Sequence, residues 1–145
     1  MRNLLTILLL TVAISTTAQK WVRPVSIAAY HIGTVALGAV ADGLYDEGHK
    51  EWSHALHAAE VGALIGGPFL FKVQRSEALS YILSYGFVRL SVFDFAYNRT
   101  RGLPALYQGT TSTYDKVMNK IPPDGRMWIK SWSLIVGFAI PINEL

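Results

Sequence analysis

Carboxylates and imidazoles recur at helical spacing in this 145-residue chain. The stretch Glu51-Trp52-Ser53-His54-Ala55-Leu56-His57-Ala58-Ala59-Glu60 reads E-x-x-H-x-x-H-x-x-E. On a helix His54, His57 and Glu60 share one arc, because residues three apart are surface neighbours. Asp42 lies upstream, on a polar stripe with His31, Thr34, Gly38 and Tyr45. Asp94 lies downstream, on a weaker stripe with Ser80, Ser84, Ser91 and Asn98. Carboxylate and imidazole are the donor types that hold zinc, iron or manganese.

Folding the segments as antiparallel hairpins, with turns centred at 47–48 and 74–75, arranges these residues in two tiers. Asp42, His54, His57 and Asp94 form the outer one, which could hold a divalent metal (Zn, Fe or Mn). Glu60 would then serve as general base toward a metal-bound water, the chemistry of a metal-dependent hydrolase. The inner tier is a buried ion pair of Glu60 with Arg89, whose guanidinium fork suits a carboxylate. The pattern departs from H-E-x-x-H, and the second Glu-x-x-His of a di-iron bundle is missing. The favoured reading is therefore a hydrogen-bonded network that sets helix register. A metal site is the alternative, and a small-solute or proton pathway through the same groups is the second alternative.

Four long apolar segments must carry these residues: about Val25 to Leu44, Glu51 to Phe71, Glu77 to Asn98 and Met127 to Ile142. Arg23-Pro24 opens the first, since proline fits a first helical turn. Ser76 reads as the N-cap of the third, with Glu77 in its first turn. Pro122-Pro123-Asp124-Gly125 reads as a turn before the fourth. Ser112 and Asp115 have capping-box spacing, which predicts a short helix over Thr113 to Lys120. On the second segment Ala55, Ala59, Gly62, Ala63 and Gly66 form a small-residue face, suited to close approach of the first segment.

The first segment lacks the charged face that a soluble surface helix needs, and the third carries only Arg89 and Asp94 between Ser80 and Tyr97. Most other charges fall between segments, and Trp21, Trp52, Trp128 and Trp132 sit near segment ends, as indoles do at a membrane interface. A chain this small cannot bury several helices on all sides by itself. Ahead of these segments, a basic start at Arg2, an apolar run from Leu4 to Ile14 and the small residues Ser15-Thr16-Thr17-Ala18 have the form of a secretory signal cleaved after Ala18. The chain has no cysteine, so packing or a bilayer must hold the exported domain. It carries 13 Lys and Arg against 10 Asp and Glu; loss of Arg2 leaves 12 against 10, too balanced a charge to argue for nucleic acid.

The reading is an all-α protein: a small four-helix antiparallel bundle, transmembrane, over residues 19–145 after a signal peptide at 1–18. It is exported to the inner membrane or cell envelope, with a periplasmic protein as the alternative. Its partners are the lipid bilayer and another membrane protein or a second copy of itself. The role that follows is structural or interaction-based, around a buried polar network.

Overall fold

The structure, a computed structural model, describes the backbone of residues 2–110 and 112–140 and the side chains of 22–110 and 112–140. The side chains of the expected signal peptide at 1–18 and of its expected cleavage site lie outside the described residues. Among those described, the chain is helical and has no strand. Its helices are α1 (Arg2–Asp46), α2 (Lys50–Leu70), α3 (Ala78–Thr100), α4 (Thr113–Met118) and α5 (Pro123–Ala139), with a 3-10 turn at Arg75–Glu77.

The helix starts follow local chemistry, with three departures from the sequence reading. Pro24 does not open a helix but stands inside α1, where its missing N–H removes one helical bond. Gln74, not Ser76, makes the cap between α2 and α3: its side chain accepts from the Glu77 amide, and the Glu77 carboxylate accepts from the Gln74 amide, as a capping box. The prolines before α5 are not all turn. Pro123 occupies the first helical turn, so α5 begins at Pro123 rather than Met127. At α4 the expected capping box is present, with Asp115 N donating to Ser112 Oγ over 3.0 Å and Ser112 N to Asp115 Oδ2 over 3.1 Å.

Three helices stop in the same way. After α1, α2 and α3 the chain turns through a left-handed residue: Gly48 (φ 88°), Lys72 (φ 50°) and Gly102 (φ 62°). The next amide reaches back to the helix, from His49 to Leu44 O, from Val73 to Pro68 O and from Leu103 to Asn98 O. This is the Schellman arrangement, which satisfies carbonyls the helix end leaves open.

Packing follows the order α2, α1, α3, α5, with α1 and α3 at the centre and α5 touching α1 lightly. Contacts run in opposite directions along α1 and α2, from Asp42 with His57 to Tyr30 with Ala63. They run in the same direction along α1 and α3, from Arg23 with Glu77 to Asp46 with Tyr97. Gly137 of α5 lies directly against Val88 and the Ser84 backbone, where a Cβ would meet Val88 Cγ2 at 2.9 Å. Ser84 Oγ donates to Gly137 O over 2.7 Å at the same crossing.

The distribution of polarity is inverted relative to a soluble core. Beside Ile27, Ala28, Val35 and Val88, the buried side chains include His31, Thr34, Ser53, Glu60, Ser84, Ser91, Asn98, Lys130 and Ser133. The outward faces are apolar: Trp52 is 70% exposed, Phe69 79%, Leu79 67% and Trp128 65%. By length and hydropathy one described helix, Val22–Asp46, is able to cross a membrane.

Arg23 pins the start of this packed region. Its Nη1 and Nη2 each donate to a Glu77 carboxylate oxygen at 2.7 Å, and Nε and Nη2 donate to Phe71 O. This fork, with the Gln74 amide, holds the Glu77 carboxyl well below its usual range, at about 2. A carboxyl with a depressed folded pKa contributes stability above its unfolded value of 4.5 and loses it as pH falls toward 2. Thermal unfolding followed by circular dichroism between pH 7 and pH 2 should therefore show a falling midpoint below pH 4.5 in the wild type. Glu77→Gln should start lower at pH 7 and lack this part of the fall. An unchanged difference between the two proteins across the range would refute the assignment.

Candidate functional site

The second helix turns toward α1 the face that the small-residue pattern would have turned away. Ala55, Ala59 and Gly62 are exposed, and nothing lies within 4 Å of a Cβ built on Gly62 or Gly66. Ser53, Glu60 and Gly67 are buried instead. The small face is thus not the α1–α2 contact. The close-approach glycine is Gly38 on α1, where an added Cβ would overlap the Glu60 carboxylate. Glycine at 38 is what lets a carboxylate lie against the α1 backbone.

Glu60 joins three helices from that position. Its Oε2 is 3.2 Å from His57 Nδ1, and its Oε1 is 3.4 Å from both Tyr85 OH and Arg89 Nη1. The other nitrogen of His57, Nε2, is 3.1 Å from Asp42 Oδ1. The result is a continuous polar line of Asp42, His57, Glu60, Tyr85 and Arg89. Neutral imidazole has one N–H, so both contacts of His57 are hydrogen bonds only when the Asp42–His57–Glu60 trio shares a second proton. The line runs from the half-exposed Asp42 to Glu60, whose side chain is 10% exposed.

The outer tier expected from the sequence is not assembled. His57, not His54, meets Asp42. His54 is exposed, with its ring 6.5 Å from that of Tyr45. Asp94 is on the other side of α3, where Lys130 Nζ donates to its Oδ2 over 2.6 Å and Tyr114 OH over 3.1 Å. Among the described residues no three His, Cys, Asp or Glu side chains converge to hold a metal ion. The geometry gives the reason: both His57 nitrogens already address carboxylates, and Asp94 is committed to an ammonium. A metal held by Asp42, His54, His57 and Asp94 is therefore withdrawn, and with it the role of Glu60 as base to a metal-bound water. Glu60 and Arg89 do stand within ion-pair distance, but Arg89 keeps 42% of its side chain exposed.

Lys130 is the residue that sequence reasoning missed. Its side chain is 3% exposed, and Nζ also contacts Leu90 O and Tyr114 OH, each at 3.4 Å. The signal was present, since Lys130 is the single charge between Arg126 and Glu144. Asn98 and Arg101, one and two turns past Asp94, are used elsewhere. Arg101 pairs with Asp46 and Glu47, and Asn98 donates to Ala105 O and Tyr107 O. A third polar contact lies where α1, α3 and α5 meet. Ser84 spends its hydroxyl proton on Gly137 O, so His31 Nδ1, 3.1 Å away, must be the donor between them. His31 Nε2 is then a buried acceptor without a partner among the described residues.

Removing one partner of a buried ion pair leaves the other uncompensated, at a cost of about 3–5 kcal/mol, while replacing both is far milder. Lys130→Met should lower the unfolding free energy in mild detergent by about that amount. The Lys130→Met/Asp94→Leu double variant should recover most of the loss. Additive losses in the double-mutant cycle would show that the two groups are not coupled.

Scans of family models, of curated proteins and of solved structures find no match to this chain.

Proposed function

We propose that this chain is a small integral membrane protein of the cell envelope, with a structural or interaction role, whose buried polar network keeps its helices in register. The observation that carries the reading is the inverted polarity: charges and hydroxyls inside, large apolar side chains outside. In water such a surface would be a broad association liability. In a bilayer it is the expected one, because ionisable groups turn inward and find partners. Mean hydropathy favours one helix only, because it averages over all faces. The inward polar residues of α2, α3 and α5 lower the mean while their outward faces remain apolar.

Placement of the aromatic and charged residues supports the same reading. Trp52 near the start of α2 and Trp128 near the start of α5 belong to one end of the packed helices. Asp46, Glu47, Arg99 and Arg101 lie at that end as well, as an interfacial belt requires. With the leader removed after Ala18, the protein is an exported domain of residues 19–145.

Reconstitution into vesicles of brominated phospholipid tests the assignment. The tryptophan emission should be quenched, and more strongly by bromine near the head group than near the chain ends. Protein that stays in the aqueous phase without detergent and escapes quenching would make it a soluble helical protein.

A second reading rests on the unbroken line from Asp42 through His57 and Glu60 to Tyr85. Ionisable groups linked in this way inside a membrane mark proton routes. Sealed vesicles carrying the wild type and an internal pH dye should then show proton entry that Glu60→Gln abolishes while the helical signal survives. Equal leak in both would leave the line with its structural role alone.

A further inference from the structure

A cavity of about 650 Å³ lies between the C-terminal half of α3 and the connection that carries α4. Its volume is in the range of sites for small-molecule ligands. One wall is a ladder at four-residue spacing on α3, formed by Arg89, Phe93, Tyr97 and Arg101. The Arg89 guanidinium lies 4.3 Å from the Phe93 ring centre. The Phe93 and Tyr97 rings are stacked at 6.3 Å and 11°. Arg101 lies 5.8 Å from the Tyr97 ring centre. The wall is thus flat and apolar, with a cation at each end.

The carboxylates around this cavity are already engaged. Asp94 is held by Lys130 and Tyr114. Asp115 accepts from Gln108 Nε2 over 2.7 Å and from the Ser112 amide over 3.1 Å. Asp46 accepts from Tyr97 OH and Arg101. Hydrogen-bonding capacity is left over on Arg89. Its bonds among the described residues all leave from Nη1, at 3.4 Å to Glu60 and to Tyr85, whereas a guanidinium has five N–H donors. Arg101 is three turns further on, about 18 Å along the helix axis, so one head group cannot reach both.

We propose that this cavity binds an anionic amphiphile, with its phosphate or carboxylate on Arg89 and its apolar body along Phe93 and Tyr97. A guanidinium beside an aromatic face accepts both halves of such a molecule, the anion by charge-assisted hydrogen bonds and the body by stacking. A bilayer phospholipid and a soluble aromatic acid share this chemistry. Gly86 supplies a clean block. It lines the cavity, and nothing lies within 4 Å of a Cβ built there, so a larger side chain enters the space without removing a contact.

The test is isothermal titration of the purified full chain in mild detergent. The probes are dihexanoyl phosphatidylglycerol and 2-naphthoate, each beside its neutral counterpart, dihexanoylglycerol and 2-naphthylmethanol. Saturable binding of an anion, about tenfold or more tighter than its neutral counterpart, is expected. Arg89→Gln and Gly86→Phe should each weaken it by a similar factor. Binding of the phospholipid alone would name a bilayer lipid as the source, and binding of the naphthoate alone a soluble aromatic acid; either supports the site. Three results would overturn it: no saturable binding of either anion, equal binding of the neutral probes, or full affinity in a folded Gly86→Phe protein. Because Gly86→Phe removes no contact, it decides the matter even where Arg89→Gln fails to fold.

Discussion

Glu60 has to be matched where it stands, and much of the arrangement of α1, α2 and α3 answers that requirement. Its carboxylate is buried against the α1 backbone at Gly38, with no room for a Cβ between them. A carboxylate so placed is costly unless its oxygens are hydrogen-bonded. The donors come from its own helix at His57 and from α3 at Tyr85 and Arg89. Pairing Glu60 therefore sets which face of α2 looks inward and which turns of α3 stand opposite. It also leaves Ala55, Ala59 and Gly62 outside, because the arc that holds Glu60 excludes them.

A second charge plays the corresponding part for α5. Lys130 is buried and answered by Asp94 of α3, Tyr114 of α4 and a backbone oxygen. Between these two clusters the helices meet through small side chains and hydroxyls, at Ser84, Ser91, Ser133 and Gly137. Such contacts give short interhelical distances but little apolar burial. Their strength depends on keeping water away from the buried polar groups.

Much of the local structure was legible because its causes are local. Apolar runs of helical length and the Ser112–Asp115 box act over a few residues. The failures also have local reasons. Proline is compatible with a helix start and with a turn, so Pro123 could be assigned either way until the helix axis was known. Depth counted from the turn at 47–48 sets Asp42 nearly level with His54, but its partner is His57, about one turn further on. Helical side chains lean toward their own N-terminus. On antiparallel helices this moves the meeting pair along α2, whereas depth counted from the turn compares only Cα positions.

By itself the sequence determined the helical class, the approximate bounds of α2 and α3 and the need for buried charges to find partners. These follow from periodicity, from capping and from the cost of an unpaired charge, all of which are properties of residue type. Only the tertiary structure decided which partners they found. Lys130 rather than Arg101 answers Asp94, His57 rather than His54 answers Asp42, and the polar arc of α2 rather than its small face meets α1. Each choice depends on helix rotation and relative depth. Those are set jointly by contacts far apart in the chain, where a shift of one turn exchanges one hydrogen-bonding partner for another of nearly equal chemistry.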